Sequence, residues 1–173
     1  SVEGERKDDQ LDLVDLLAHL CDELKAAWPD REIELVTSSS LCVLGNAAEL
    51  RSAISNLIVN ALKYSEAPIS VKWSDTVVGP ELLVEDQGPG IDAKHIPRLT
   101  ERFYRVDKSR SQATGGTGLG LAIVKHVAVS HDAKLFIDSE LGQGSTFRLV
   151  FPNDRAVSCD VCSTESRRAD SGQ

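Results

Sequence analysis

Apolar residues recur at helical spacing in three segments of the chain. Leucines and valines repeat every three or four positions over residues 11–27, and similar spacing runs through residues 47–65 and through "GLGLAIVKHVAVSH" at 118–131. Pro68 follows the second segment, and proline cannot continue a helix. The pattern therefore predicts three helices, and the longest of them ends before Pro68.

Short runs rich in β-branched residues alternate with these helices and predict six strands: "EIELVTS", "LCVLGN", "ISVKWSDTV", "ELLVED", "KLFIDSE" and "STFRLVF". The Gly79-Pro80 turn separates the third and fourth, and "LGQG" joins the last two in a hairpin. Residues 92–101 are expected to form a short helix and residues 102–117 a mobile loop. Interleaved helices and hairpins predict an α+β fold, a two-layer α/β sandwich whose mixed sheet is covered on one face by helices.

The domain organisation follows from where this pattern starts and stops. A chain of 173 residues suits one domain with a tail. We assign residues 11–152 to the domain. Residues 1–10 begin abruptly with charged positions and are interpreted as a linker in a piece of a larger protein. Residues 153–173 lose the apolar period and are predicted to be disordered.

Charge and cysteine content narrow the classes of partner. A net charge of −8 argues against nonspecific nucleic-acid binding. No apolar run approaches the roughly 18 residues of a membrane span, so we expect no direct membrane contact. Few cysteines and no hydrophobic leader favour the cytosol, where thiols stay reduced. Cys159 and Cys162 form a lone Cys-x-x-Cys pair, interpreted as incidental rather than as a zinc or redox motif.

The stretch "NLIVNALKYS" (56–65) places Asn56, Asn60, Lys63 and Tyr64 on one arc of the predicted helix, opposite its apolar side. Such an arc ordinarily faces water. Two asparagines, which are mediocre helix formers, favour a second reading. Amide oxygens beside a lysine suit a phosphate bound to Mg²⁺, a cation that takes hard oxygen ligands and keeps several waters.

Two glycine-containing stretches offer further candidates. In "VEDQGPGI" (84–91), Asp86 ends an apolar strand and is followed by Gly88 and Gly90. The stretch is either a plain turn at the end of a strand or part of a binding site. In a site, the Asp86 carboxylate would accept a hydrogen bond from the amino group of adenine, and the glycines would let the ligand approach the backbone. "TGGTGLGLAI" (114–123) fits neither a P-loop nor a dinucleotide motif. It brings glycines to a helix N-terminus, where free N–H groups favour an anion such as a triphosphate. Thr117 adds a hydroxyl donor.

Together, "NLIVNALKYS", "DQGPGI", "RFYRVD" and "GGTGLGL" resemble, in order, the N, G1, F and G2 boxes of the ATP-binding domain of bacterial sensor histidine kinases, which has a Bergerat-type fold. The resemblance covers residues from about 11 to 152. The stretches "IPRLTERFYRVDKSR" and "TGGTGLGLAIVKH" are similar, more narrowly, to the phosphate-regulon sensor kinases.

The resemblance implies ATP and Mg²⁺ as cofactors and a role for each matching residue. Asn60 would bind the metal, Asn56 would support the phosphates and Lys63 would meet their oxygens. Tyr64 would stack on adenine, and Asp86 would read its amino group. The remaining positions implied to form the pocket and lid are Gly88, Gly90, Ile91, Phe103, Arg105, Lys108, Arg110, Gly116, Thr117, Gly118, Leu119, Gly120 and Leu121, with Asn56, Lys63 and Arg105 expected to take part in catalysis.

The phosphoacceptor histidine of that family has no counterpart here. The chain has four histidines, and His19 in "LAHLCDEL" lacks the family's His-Glu-Leu-Arg-x-Pro pattern. The resemblance therefore implies a catalytic fragment whose partners are a histidine-bearing dimerisation domain of the same parent and, through the parent, a response regulator. It also implies a cytoplasmic domain of a bacterial protein anchored in the inner membrane.

Two rival functions remain open. Related ATPases of the same nucleotide fold carry a glutamate four residues before the metal-binding asparagine, where it acts as a general base. That position is Asn56 here, so water would be poorly activated. The other rival is a noncatalytic nucleotide-sensing module.

Overall fold

The computed structural model describes residues 8–106 and 119–159. Within them lie three α-helices: α1 (Leu13–Ala27), α2 (Ala47–Tyr64) and α3 (Gly120–Ser130). The first two have side-chain N-caps, because Asp12 accepts from the N–H of Asp15 and Asn46 accepts from that of Glu49. None of the described helices is long and apolar enough to cross a bilayer.

The described strands form two sheets. Their bounds are β1 (Asp9–Leu11), β2 (Ile33–Thr37), β3 (Leu41–Gly45), β4 (Ile69–Asp75), β5 (Pro80–Asp86), β6 (Lys134–Glu140), β7 (Gly144–Val150) and β8 (Ala156–Ser158). The larger sheet has the order β2-β4-β5-β7-β6, in which β2 and β4 are parallel and the other pairs antiparallel. The smaller sheet, β1-β3-β8, is antiparallel.

Alternation along the strands separates the two faces of the larger sheet. Trp73 and Phe147 are fully or almost fully buried in one core with the apolar side of α2. Lys72 and Arg148, one position away, are exposed or half-buried on the other face. The predicted fold class, a mixed sheet covered on one face by helices, is confirmed.

Three local predictions were wrong. Residues 92–101 hold only a 3-10 turn at Ile96–Arg98. Residues 9 and 10, assigned to the linker, form β1 on β3 together with Leu11. Residues 156–158, predicted to be disordered, form β8 on the other edge of β3, and Arg155 holds this region by donating to the Leu44 carbonyl at 3.0 Å. Residues 160–173 lie outside the described residues, as does most of the predicted loop at 102–117.

The interpretation of Cys159 as incidental was also wrong, as was the expectation of reduced thiols for Cys42 and Cys159. Cys42 on β3 and Cys159 after β8 form a disulfide, with 5.2 Å between their Cα atoms. Cys42 is completely buried. Antiparallel pairing of Cys42 with Val157 brings the chain after β8 alongside β3, which places the two sulfurs together. Cys21 is a buried free thiol, and Cys162 lies outside the described residues.

Candidate functional site

Helix α2 has the two faces that its sequence predicts. The apolar side is fully or almost fully buried, and its residues are Leu50, Ile54, Leu57, Ile58, Ala61 and Leu62. On the polar side Asn56, Asn60 and Lys63 are half-buried, and Tyr64 is 37% exposed. The predicted arc therefore lies at the rim of the core, where a ligand has access to its amide, ammonium and phenol groups.

The N-terminus of α3 lies against this polar side. The Asn56 side-chain amide donates to the Ser52 carbonyl at 2.9 Å, one turn back along α2. A Cβ atom built on Gly120 would lie 3.2 Å from the Asn56 Oδ1 atom. The structure thus brings together Asn56 and Gly120, two predicted site residues 64 positions apart in the chain.

Asp86 ends β5 with a buried side chain that is 5% exposed. Burial raises the pKa of its carboxyl group, and hydrogen bonds from the N–H groups of Gly88 and Ser145 act in the opposite direction. The Gly88 bond is 2.9 Å long. A desolvated carboxylate gains from one more donor, and the exocyclic amino group of a purine is such a donor.

The turn after Asp86 is packed against two other parts of the chain. A Cβ on Gly88 would lie 2.3 Å from the Tyr64 carbonyl oxygen, at the end of α2. Gly90 has φ +75°, and a Cβ there would lie 2.1 Å from the Glu140 carbonyl oxygen. Beyond the turn, the Ile91 N–H donates to Ser139 Oγ at 2.7 Å. Only glycine fits the first two positions, so the turn is fixed between α2 and the β6–β7 hairpin.

The segment before the second glycine motif is held by a residue that the sequence reasoning did not single out. Tyr104 contacts His95 Nδ1 through its hydroxyl group, and the Arg98 guanidinium lies 4.5 Å from the centre of its ring. Its neighbour Phe103 has φ +65° and is 69% exposed. Arg105 is half-buried. The expected anchoring role of Phe103 remains a prediction, whereas Tyr104 makes the contacts.

The second glycine motif is described only from Leu119 onward. The Leu119 carbonyl accepts from the Ile123 N–H at 3.0 Å, and Leu121 packs against the core. The predicted site residues Lys108, Arg110, Gly116, Thr117 and Gly118 lie outside the described residues. The first turn of α3 therefore supplies the described part of the proposed anion site.

The chain matches a family model described as "Histidine kinase-, DNA gyrase B-, and HSP90-like ATPase" over residues 45–155, which include Asn56, Asp86 and Gly120. The chain belongs to this family. Its match to the family spans α2, β4, β5, α3 and the β6–β7 hairpin, the elements that build the site.

Two relatives of this chain are sensor proteins. The phosphate regulon sensor protein PhoR of Pseudomonas aeruginosa is 51% identical over 140 residues, which are 79% of this chain and 32% of the relative. The sensor-like histidine kinase SenX3 of Mycobacterium tuberculosis strain H37Rv is 45% identical over 132 residues, 74% of this chain and 32% of the relative. The chain thus spans about a third of the length of these curated relatives.

Solved structures agree with this assignment. The mycobacterial sensor histidine kinase MprB superposes with a TM-score of 0.73 at 28% identity, covering 84% of this chain and 97% of that one. Full-length ShkA in complex with AMPPNP gives 0.74 at 28% identity, covering 90% of this chain and 32% of that one. The fold is therefore that of histidine kinase catalytic domains.

Proposed function

We propose that this chain is the ATP-binding catalytic domain of a sensor histidine kinase and transfers the γ-phosphate of ATP to a histidine on a separate dimerisation domain. The observation that carries the proposal is the joint placement of Asp86 beside the end of α2 and of Gly120 beside Asn56. One contact forms a corner between the buried Asp86 carboxylate and the end of α2, and the other brings a helix N-terminus to a polar helix face.

The described residues fit ATP and Mg²⁺. Asn60 offers a neutral oxygen for the metal, and Lys63 and Asn56 offer donors to phosphate oxygens from the same helix face. Bound Mg²⁺ supplies neutralisation of phosphate charge. Tyr64 would stack on the base, and Arg105 would approach the terminal phosphate from the following segment. Phosphoryl transfer needs positioning and charge stabilisation above all, and these residues supply both.

The same residues disfavour the rival functions. An ATPase needs a general base that activates water, and the Asn56 amide cannot take up a proton at neutral pH. We expect negligible ATP hydrolysis by the isolated chain. A noncatalytic nucleotide sensor would bind ATP but would not transfer phosphate to histidine. Transfer to histidine therefore distinguishes a kinase from such a sensor.

The wider context follows from the relatives. Identity of 51% to a phosphate regulon sensor protein supports a role in phosphate-starvation signalling, with a response regulator as the parent's further partner. The parent would be anchored in the inner membrane of a bacterium, with this domain in the cytoplasm. Because thiols stay reduced there, the Cys42–Cys159 bond would form only when the protein is oxidised.

Calorimetric titration with a nonhydrolysable ATP analogue, with and without Mg²⁺, tests the nucleotide site. We expect saturable binding that weakens at least tenfold in Asp86→Ala. The matched control is Asp138→Ala, because Asp138 is an exposed carboxylate on the uncovered sheet face. Absence of saturable binding by the unaltered chain would overturn the proposal.

Transfer is tested in a longer protein that includes the histidine domain. Asn60→Ala should abolish transfer of labelled phosphate to histidine. If labelled histidine formed at the original rate, the magnesium role assigned to Asn60 would be wrong.

A further inference from the structure

Arg31 precedes β2 and reaches the end of α2 with its side chain. Its Nη1 atom donates to the Leu62 carbonyl at 2.5 Å. Its Nη2 atom donates to the carbonyls of Ser65 and, at 3.1 Å, Ala67. One guanidinium thus binds three carbonyls on both sides of Lys63 and Tyr64, the last two residues of the helix.

The sheet topology explains this reach. The turn after α1 is closed by the Arg31 N–H, which donates to the Trp28 carbonyl at 3.0 Å. Parallel strands β2 and β4 start at the same end of the sheet, with Ile33 paired to Ile69. The α1–β2 turn and the α2–β4 turn are therefore neighbours, and a long side chain at position 31 spans them.

The electrostatics favour a cation at this place. The last carbonyls of a helix lack partners within the helix and carry partial negative charge. The planar fork of arginine can bind several such oxygens at once. The Arg31 Nε atom is buried without a hydrogen-bond partner among the described residues, a cost that the bonds from Nη1 and Nη2 offset. A residue with fewer donors or a less rigid head group would fix fewer of these carbonyls.

At the end of α2 the last carbonyl groups have no partners within the helix, so the helix itself holds this part of the proposed site least firmly. The Tyr64 carbonyl faces Gly88, so a shift of this turn would change the gap between the Tyr64 ring and Asp86. We propose that Arg31 is a positioning residue, which holds Lys63 and Tyr64 in register with the Asp86–Gly88 turn for nucleotide binding. This inference rests on the nucleotide-binding function proposed above.

A double-mutant cycle tests it, with the affinity for the nonhydrolysable ATP analogue as the readout. Arg31→Ala should weaken binding at least tenfold in the unaltered chain but less than threefold in a background that carries both Lys63→Ala and Tyr64→Ala, because both positioned side chains are then already missing. Arg31→Lys, which keeps the charge but not the fork, should recover part of the affinity.

The matched control is Arg155→Ala. Arg155 also joins distant segments through a backbone carbonyl and two carboxylates, Asp8 and Asp132, but lies away from the site. Its removal should lower the unfolding midpoint and leave affinity unchanged at temperatures where the chain is folded. If Arg31→Ala does not fold, the same cycle with Arg31→Gln or Arg31→Lys takes its place.

Equal losses in both backgrounds, or no loss in either, would overturn the positioning role and leave Arg31 as a helix cap only. Failure of the unaltered chain to bind the analogue would instead overturn the proposed function. The two failures are distinguished because the unaltered chain is measured first.

Discussion

Gly88 and Tyr64 are in such close contact that a Cβ atom on the glycine would lie 2.3 Å from the tyrosine's carbonyl oxygen. The contact joins the end of α2 to the turn that follows Asp86. The two contacting residues are 24 positions apart in the chain, so two separate motifs form one corner of the candidate site. The obstructing atom belongs to the backbone, so the neighbour cannot rotate away.

Gly88→Ala should disturb both stability and binding. We expect the free energy of unfolding to fall by about 1–3 kcal/mol, as for other overpacked sites, and affinity for an ATP analogue to fall at least tenfold. Urea unfolding and calorimetric titration measure the two effects. Gly142→Ala is the control, since a Cβ there meets no atom within 4 Å, although the φ of +81° at Gly142 makes alanine strained. It should lose stability without losing affinity, and equal affinity losses in the two variants would contradict the packing argument.

The Asp86 carboxyl group should contribute more to the free energy of unfolding when it is protonated than when it is ionised. Burial raises its pKa above the ordinary value of 3.8. Between that value and the raised pKa the folded state binds more protons than the unfolded state, so this group's contribution to the free energy of unfolding decreases as pH rises. Asp86→Asn removes that contribution.

The test compares urea unfolding of Asp86→Asn and the unaltered chain from pH 4 to pH 7. The stability of the variant relative to the unaltered chain should increase with pH over the lower part of this range. A difference that stayed constant or decreased with pH would mean that Asp86 is not penalised by burial.

The Cys42–Cys159 disulfide should contribute measurably to stability. It closes a loop of 117 residues, and bonds over long loops typically contribute about 2–5 kcal/mol, mainly by restricting the unfolded chain. Dithiothreitol should therefore lower the thermal midpoint. The Cys159→Ser variant should unfold at the lower midpoint and not respond to dithiothreitol.

Cys21 should not complicate this experiment, because burial raises the pKa of its thiol and disfavours the reactive thiolate. An unaltered chain with the same midpoint before and after treatment would argue that the bond is not formed in solution. Non-reducing peptide mapping would identify the linked pair directly.

Asn46 should stabilise the start of α2 without affecting the site. Its side chain accepts from the Glu49 N–H at 3.0 Å, and its own N–H donates to the buried His131 Nε2 at 3.0 Å. Asn46→Ala should cost about 1 kcal/mol, measured by urea unfolding, and Asn46→Ser should restore most of it. Nucleotide affinity should stay unchanged, because the first site residue on α2, Asn56, lies more than two helical turns beyond Asn46. A tenfold loss of affinity in Asn46→Ala would show that the two ends are coupled.

The sequence predicted those features whose signal lies in consecutive residues. Helix α2 has an apolar period over 18 residues, and that period correctly separated its buried from its polar side. Asp86 and Gly88 form a contiguous motif at a strand end. No local sequence pattern indicates that these two residues lie beside α2, and only the family resemblance implied that placement.

The features that were not predicted depend on distant partners. Strands β1 and β8 have three residues each, too few for a period, and form because β3 pairs with both. Arg31 binds carbonyl oxygens, which every residue carries, so its partners leave no trace in the sequence. The disulfide partners lie 117 positions apart, and no spacing rule joins them.

The small sheet also has a mechanical consequence. Strands β1 and β8 both run opposite to β3, with Asp9 beside Gly45 and Ser158 beside Leu41. Tension applied to the backbone before Asp9 and after Ser158 therefore acts along the strands in opposite directions. Such a load shears all the hydrogen bonds between the strands together instead of opening them one at a time. The Cys42–Cys159 disulfide keeps β8 from sliding along β3. Tension transmitted through the backbone on either side of the domain would meet this sheet first, and the candidate site in the larger layer would be shielded from it.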